Sequence, residues 1–315
     1  MSMDTSSGNK TKETVCAVVV TYNRKNLLLE CLEALLKQTR PPDEIIVIDN
    51  ASIDGTDHII RSEFPQVTYI RLPKNTGGAG GFYEGIKLAC EKRYDWVWVM
   101  DDDAIPMPDA LEKLLTSLNL CNDCVGLLCS NVIWMDGYPH IMNVPQISTL
   151  IPSKEGTVPF NQLINYGLIR IYACSFVSVL ISSVAINTVG LPIKEMFIYG
   201  DDIEFTNRVS KCFPCYYVPN SNVLHKTKYN FGTDIETATS DKVWSYYFQT
   251  RNIFYLRRQR GTLSMLKYCL IDWPHTVYKA LKRKSCKFYA VWVLTKGLIA
   301  GIFFNPKIKT IERTN

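Results

Sequence analysis

Histidine is scarce in this chain, four in 315 residues, and neither sign of charge dominates: 35 Lys and Arg against 30 Asp and Glu leave a net charge of +5. So small an excess, with 11% aromatic residues, does not argue for a nucleic-acid partner. No apolar segment near the N-terminus reads as a secretory signal, so reduced thiols and a cytoplasmic location are expected. The glycines nowhere take the G-x-G-x-x-G spacing, which excludes the dinucleotide fingerprint. Eleven cysteines are present but scattered, and the close pairs Cys121/Cys124 and Cys212/Cys215 have no histidine pair to complete a tetrahedral zinc set.

What is present is a 47% hydrophobic chain, long enough for one large core or a core with a smaller appendage. It is organised around Tyr94 to Pro108, an apolar run that ends in three consecutive carboxylates. Trp96 to Met100 lacks polar alternation, so it predicts a strand buried on both faces. Such a strand cannot bury three acids, and Asp101, Asp102 and Asp103 are therefore expected at its carboxyl end, where open α/β sheets leave a ligand crevice. Pro106 and Pro108 stop it there. Three adjacent acids repel strongly unless a cation offsets them, and hard oxygen ligands suit Mg²⁺ or Mn²⁺. The alternative is an acidic helix cap, with Asp103 or Asp109 opening the next helix.

The segments before it repeat one pattern. Val15 to Thr21 is a β-branched run, Leu27 to Leu36 has helical spacing, and Glu44 to Ile48 is a second strand closing with Asp49, which makes a βαβ unit. Asp54-Gly55-Thr56 opens another helix, Val67 to Leu72 is a third strand, and Asn75 to Gly81 reads Asn-Thr-Gly-Gly-Ala-Gly-Gly. Four glycines in five residues let a backbone approach a ligand or simply turn; in the first case Gly77 and Gly78 offer amides ahead of a helix beginning near Phe82. Four strand ends, at Thr21, Asp49, Asn75 and Asp101, are then expected on one edge of the sheet.

In this order, Val-Val-Val-Thr-Tyr-Asn-Arg, Ile-Val-Ile-Asp-Asn-Ala-Ser, Asn-Thr-Gly-Gly-Ala-Gly-Gly-Phe and Met-Asp-Asp-Asp-Ala resemble the inverting nucleotide-sugar glycosyltransferases of family 2, from Val15 to about His225. Within that family the glycine run and the acidic triplet look most like bacterial galactofuranosyltransferases, with rhamnosyltransferases next. The resemblance implies an α/β fold of GT-A type, with a Rossmann-like, mostly parallel central sheet and a C-terminal helical region. Residues 1–14 would be a disordered tail and 15–240 the glycosyltransferase domain, its donor half about 15–110 and its acceptor half about 111–240. Residues 241–315 would form the helical region. It also implies that Thr21 and Asp49 border the base, that Arg24 lies near the diphosphate or base, that Asp101 faces the ribose, and that Asn75, Gly77, Gly78 and Asp102 complete the donor site. Asp103 would be the metal ligand.

The second half adds two candidates. Trp134 to Phe160 is irregular, with Trp134 and Tyr138 as acceptor-side aromatics or ordinary loop packing, and Tyr172 to Ile186 reads as a core strand pair. Asp201 and Asp202 follow Gly200 at a helix start, where one acid caps or stands free to take a proton from an acceptor hydroxyl. Family resemblance gives that task to Asp202. His225, after a probable strand, is by itself more often structural; the resemblance makes it a second metal ligand beside Asp103. From Trp244 onward the chain is aromatic and basic, and its last apolar stretch, Phe288 to Phe304, is interrupted by Lys296 and two glycines. That predicts interfacial attachment to an anionic membrane surface, on the cytoplasmic face, or else core packing or a homo-oligomer contact.

The resulting expectation is an enzyme: a metal-dependent transferase moving galactofuranose from UDP-galactofuranose to a glycan or lipid-linked glycan. dTDP-rhamnose is the alternative donor. A nucleotidyltransferase would need a Lys-rich triphosphate loop where Tyr22-Asn23-Arg24 stands, and a non-catalytic sugar-nucleotide-binding protein would not need Asp202.

Overall fold

The computed structural model describes residues 13–121, 124–153 and 156–311. Most of the tail expected over residues 1–14 lies outside the described residues; Thr14 is tied by its N–H and hydroxyl to Asp95, at 2.8 and 2.7 Å. The first half runs β1 (Val15–Thr21), α1 (Lys25–Leu36), β2 (Glu44–Asp49), α2 (Thr56–Glu63), β3 (Thr68–Arg71), α3 (Gly77–Glu91) and β4 (Trp96–Asp101). Every residue of β1 is buried, as a run without polar alternation requires. β1 pairs in parallel with β2 and with β4, and β2 pairs in parallel with β3. The order β3-β2-β1-β4 therefore changes direction between β1 and β4, and such a switch point leaves a crevice at the carboxyl ends of the strands. Thr21 and Asp101 both end their strands there.

The second half adds β5 (Ala104–Pro106), α4 (Ala110–Ser117), β6 (Leu127–Ile133), the hairpin β7 (Leu150–Ser153) and β8 (Gly156–Pro159), β9 (Ile169–Arg170), β10 (Val179–Ser182), α5 (Ser183–Val189), α6 (Asp201–Ser210) and β11 (Cys215–His225). β10 enters antiparallel beside β4, followed by β6, β11 and β5. Two apolar clusters line the two faces of this sheet, one around Trp98 and Leu32, the other around Phe205 and Ile86. Four helices end the chain: α7 (Tyr246–Gln259), α8 (Thr262–Lys267), α9 (Trp273–Leu281) and α10 (Lys287–Phe303). α7, α9 and α10 share a separate cluster that includes Tyr246, Ala280, Ala290 and Leu294. Among the described residues no helix is long and apolar enough to cross a membrane.

Several local expectations change. The glycine run does not precede a helix at Phe82; it is the first turn and a half of α3, which starts at Gly77. The cause is packing. A Cβ at Gly81 would stand 2.5 Å from Val20 Cγ1 and one at Gly85 2.3 Å from Val18 Cγ1, so these glycines let α3 lie directly on β1. Tyr172 to Ile186 yields one strand and a helix, not a strand pair, because Ser183 turns the chain by bonding to the carbonyls of Tyr94 and Asp95. The irregular stretch from Trp134 contains the β7–β8 hairpin. The third strand ends at Arg71, four residues short of Asn75. The acidic triplet is a tight connection between two strands, β4 and β5, and Pro106 is tolerated because β5 is the outermost strand.

The packing role of the glycines is testable. Gly85→Ala should lower unfolding stability by about 1–2 kcal/mol, the steric cost exceeding the gain in helix propensity. Gly78→Ala, whose Cβ would meet nothing within 4 Å, should leave stability unchanged. Equal denaturation midpoints for the two variants would contradict this account.

Candidate functional site

At the switch point β4 ends at Asp101, and Asp102 and Asp103 form the turn that follows. Asp102 reaches β1, accepting the Thr21 hydroxyl at 2.7 Å and the Arg24 guanidinium at 3.2 Å. Arg24, the residue preceding α1, also reaches Asp103 at 2.6 Å, so one half-exposed cation bridges two of the three acids. This neutralisation is incomplete. Burial pushes the Asp101 carboxyl well above the ordinary range, and the neighbouring Asp103 and Asp102 charges push it further. Asp102 rises to about 6, again through burial, with Arg24 opposing.

Asp103 is held low in spite of its burial, because His225 and Arg24 favour its charged form. The sheet makes this contact. β5 pairs antiparallel with the end of β11, Ala104 opposite His225, and the Lys226 N–H bonds to the Asp103 carbonyl at 2.9 Å. His225 Nε2 then lies 3.1 Å from Asp103 Oδ1. Its other nitrogen, Nδ1, is 2.8 Å from Asn143 Oδ1, while Asn143 Nδ2 donates to Ser175 Oγ, which fixes the orientation of the amide. Nδ1 therefore donates to Asn143, and Nε2 is the ring nitrogen turned to Asp103.

One ligand atom each from Asp101, Asp103 and His225 lies within 4.8 Å of the others. Adjacent ligands on an octahedral Mg²⁺ or Mn²⁺ with bonds of about 2.1 Å stand roughly 3.0 Å apart, and the 3.1 Å between His225 and Asp103 meets that spacing. The donor set fits a hard or borderline divalent cation. Asp101 belongs to this cluster, a position the sequence reading did not give it. His140 and Asn143 were also not legible: both come from the irregular stretch after Trp134, and the scarcity of histidine is their one sequence signal. His140 is buried, its ring 4.7 Å from that of His225, and burial followed by the His225 charge lowers its pKa to about 4.

The second acid pair comes from the start of α6. Gly200 (φ +85°) turns the chain into the helix, and the Asp202 carboxylate accepts the Ile203 N–H of its first turn at 2.7 Å. Asp201 is buried and raised well above the ordinary range by that burial and by Asp202. Asp202 is half-buried and rises to about 6 by desolvation, moderated by backbone amides of Ile203, its own residue and Phe176. Its charge in turn raises Asp101. The acids of β4 and α6 therefore lie within electrostatic reach of one another.

The remaining candidates are placed differently. Asp49 has no exposed surface; it accepts the Ser52 N–H at 2.9 Å and the Tyr69 hydroxyl, with Arg71 Nε at 3.9 Å. Any contact with a base would have to replace Tyr69 or pass through it. Asn75 accepts the Gly77 N–H at 2.8 Å, and Gly78 opens on free space. Trp134 donates its indole N–H to the Thr227 carbonyl at 2.9 Å, whereas Tyr138 is exposed.

A group whose folded pKa is raised adds stability below its unfolded pKa and loses it as pH climbs through the folded value. In chelator-treated protein, Asp101→Asn should therefore raise Tm at pH 7.5, with the gain shrinking toward pH 5, where the wild-type acid is protonated. The same variant should lose the Tm increase that Mn²⁺ produces in the wild type at pH 7.5. A gain independent of pH, or an undiminished response to Mn²⁺, would remove Asp101 from the cluster.

Residues 16–163 match the family model described as Glycosyl transferase family 2. Galactofuranosyltransferase GlfT1 of Mycolicibacterium smegmatis is 29% identical over 305 residues, 91% of this chain and 96% of that protein. Its Mycobacterium tuberculosis counterpart is 30% identical over 206 residues, 62% of this chain and 64% of that protein. Among solved structures, S. aureus TarS 1-349 in complex with UDP-GlcNAc superposes with a TM-score of 0.53 at 15% identity, over 93% of this chain and 73% of that one, a likeness of fold. The matched segment spans β1 to the stretch beyond the acidic triplet, so residues 16–163 form a family 2 glycosyltransferase domain, and the chain is a glycosyltransferase of GT-A fold.

Proposed function

We propose that this glycosyltransferase is metal-dependent and inverting, and that it moves galactofuranose from UDP-galactofuranose to a lipid-linked or growing cell-surface polysaccharide. The observation that carries the reading is the gathering of Asp101, Asp103 and His225, with the Asp202 charge near enough to raise the Asp101 carboxyl. The donor sugar rests on similarity along nearly the whole length of the M. smegmatis galactofuranosyltransferase. Asp101, Asp103 and His225 would hold Mn²⁺ or Mg²⁺, which when bound supplies positive charge to the departing diphosphate. Thr21 and Arg24 fix Asp102 at the donor edge, where Arg24 also offers its guanidinium to phosphate. Gly77 and Gly78 present the start of α3 to the same side.

Asp202 is the acid outside the metal cluster, and it takes the proton from the acceptor hydroxyl as that oxygen attacks the anomeric carbon from the face opposite the diphosphate. One displacement inverts the centre, and no covalent sugar intermediate forms. A base must be ionised to act, so activity should fall as pH drops through about 6, the value to which burial lifts Asp202. The test is UDP release from a panel of sugar nucleotides with Mn²⁺ and lipid-linked acceptors. UDP-galactofuranose should be turned over and dTDP-rhamnose not. Asp202→Asn should lower kcat by about 10²–10⁴-fold while UDP still binds. Unchanged turnover in that variant would end the base assignment.

The C-terminal helices, on this reading, dock the enzyme to the cytoplasmic face of an anionic membrane. Leu263, Leu270, Phe288, Trp292 and Phe303 are exposed, and Lys296 sits 4.9 Å over the Trp292 ring. That places cations beside an apolar face as an anionic interface requires. The full-length protein should co-float with phosphatidylglycerol vesicles, and Phe288→Ser with Trp292→Ser should release it. Equal flotation of wild type and double variant would place the contact elsewhere.

A further inference from the structure

The segment leading into the acid pair of α6 is strained, and a helix from the far end of the chain grips it. Phe197 has φ +65° and ψ −61°, and the Ile198 N–H closes back on the Met196 carbonyl at 2.7 Å, which makes a γ-turn of the rare positive-φ form at a non-glycine residue. Tyr199 (φ +69°) and Gly200 (φ +85°) follow, so three of the four residues before Asp201 are left-handed. Backbone of this kind persists only where its surroundings over-determine it.

Those surroundings are specific. Asn252 on α7 has no exposed surface, and its Nδ2 donates to the carbonyls of Met196, Ile198 and Tyr199 at 2.9, 2.9 and 2.8 Å. Its Oδ1 accepts Arg251 Nε at 3.0 Å, which leaves the amide a single orientation. Arg251 Nη2 donates to the carbonyls of Glu195 and Met196 at 2.7 and 3.1 Å, and its guanidinium lies 4.1 Å above the Phe304 ring. Phe197 stacks on Phe248 of the same helix, centroids 4.6 Å apart. Below, Ala79, Ile193, Met196 and Tyr255 form a small apolar cluster that joins α3, the turn and α7.

We propose that Asn252, supported by Arg251, is a positioning residue that sets Asp202 against the donor site by clamping the Glu195–Tyr199 turn. This rests on the reading of Asp202 as the base. The donor side of the same junction is secured separately: the Phe197 carbonyl accepts the Ala79 N–H at 3.1 Å, but Asn50 independently holds the start of α3 through Thr76 and the Gly77 carbonyl. Loosening the clamp therefore frees the turn and its acids while leaving the donor crevice in place.

The experiment compares Asn252→Ala, Arg251→Lys and Asp202→Asn in the full-length protein, with Val293→Ala as a control that thins the helical core away from the turn. Asn252→Ala should lower kcat by up to about 10²-fold, with donor KM and UDP affinity within about two-fold of wild type. Val293→Ala, assayed at the same distance below its own Tm, should keep wild-type kcat. Arg251→Lys, which keeps the cation but loses the fork, should give a smaller loss with the same split and covers the case in which Asn252→Ala does not fold. If Asp202→Asn is inactive while Asn252→Ala and Arg251→Lys match the control, the clamp is structural only and the inference fails with the base reading intact. If Asp202→Asn turns over normally, the base reading fails instead.

Discussion

The organising constraint is electrostatic: a buried strand delivers three carboxylates to one point, and a second pair arrives from α6. Left alone they would repel by several kcal/mol. The fold divides the problem. Asp102 is assigned to Thr21 and Arg24 on the β1 side, Asp103 to His225 on the β11 side, and Asp101 receives no counter-charge equal to its own. An acid that is half-buried, raised in pKa and within 4.8 Å of two other ligand atoms is suited to a cation. The same deficit explains why the strand pairing beyond the triplet matters. The register that puts Ala104 opposite His225 brings the one histidine able to complete the cluster from 122 residues away.

How much of this could be read from the chain varies with the range of the interaction. The parallel half of the sheet is legible because runs such as Val15 to Thr21 and Trp96 to Met100 are buried on both faces and cannot be mistaken for amphipathic elements. The acidic triplet and the pair at Asp201 and Asp202 stand out for the converse reason, being charges where a core was expected. The glycine run hid the start of α3, because a glycine that lets a ligand approach and one that lets a neighbouring strand approach have the same sequence signature; Gly81 packs on Val20, while Gly78 opens on free space. Asn143, which holds the His225 tautomer, and Asn252, which holds the turn, were invisible. Each acts through one amide on partners distant in sequence, and neither leaves a periodicity.

Asp49 illustrates a further limit. Its place at the end of β2 suggests ligand contact, yet its oxygens are used by Ser52 and Tyr69, and it shows no surface. Position at the carboxyl edge of a sheet is necessary for a site residue without being sufficient, since the first residues of each loop also need partners for their own backbone amides. Asp49 meets that need, accepting the Ser52 N–H and the Tyr69 hydroxyl with Arg71 Nε at 3.9 Å.

The C-terminal helices combine two properties that belong to opposite sides of the same bundle. Outward, α8 to α10 present Leu270, Phe288 and Trp292 to solvent. Inward, α7 spends two buried polar side chains on the carbonyls of one turn, where apolar packing would have been simpler. Buried polar groups are costly unless fully paired, and here Asn252 and Arg251 are paired almost entirely with backbone from residues 195–199. The cost is intelligible if the turn must hold one conformation against its own strain, because apolar contacts tolerate sliding and directed hydrogen bonds do not. On the proposed reading, in which the C-terminal helices dock to a lipid surface and Asp202 is the base, one set of helices would both meet the acceptor's surface and seat the acid, so that Asp202 is registered to the plane from which the hydroxyl approaches.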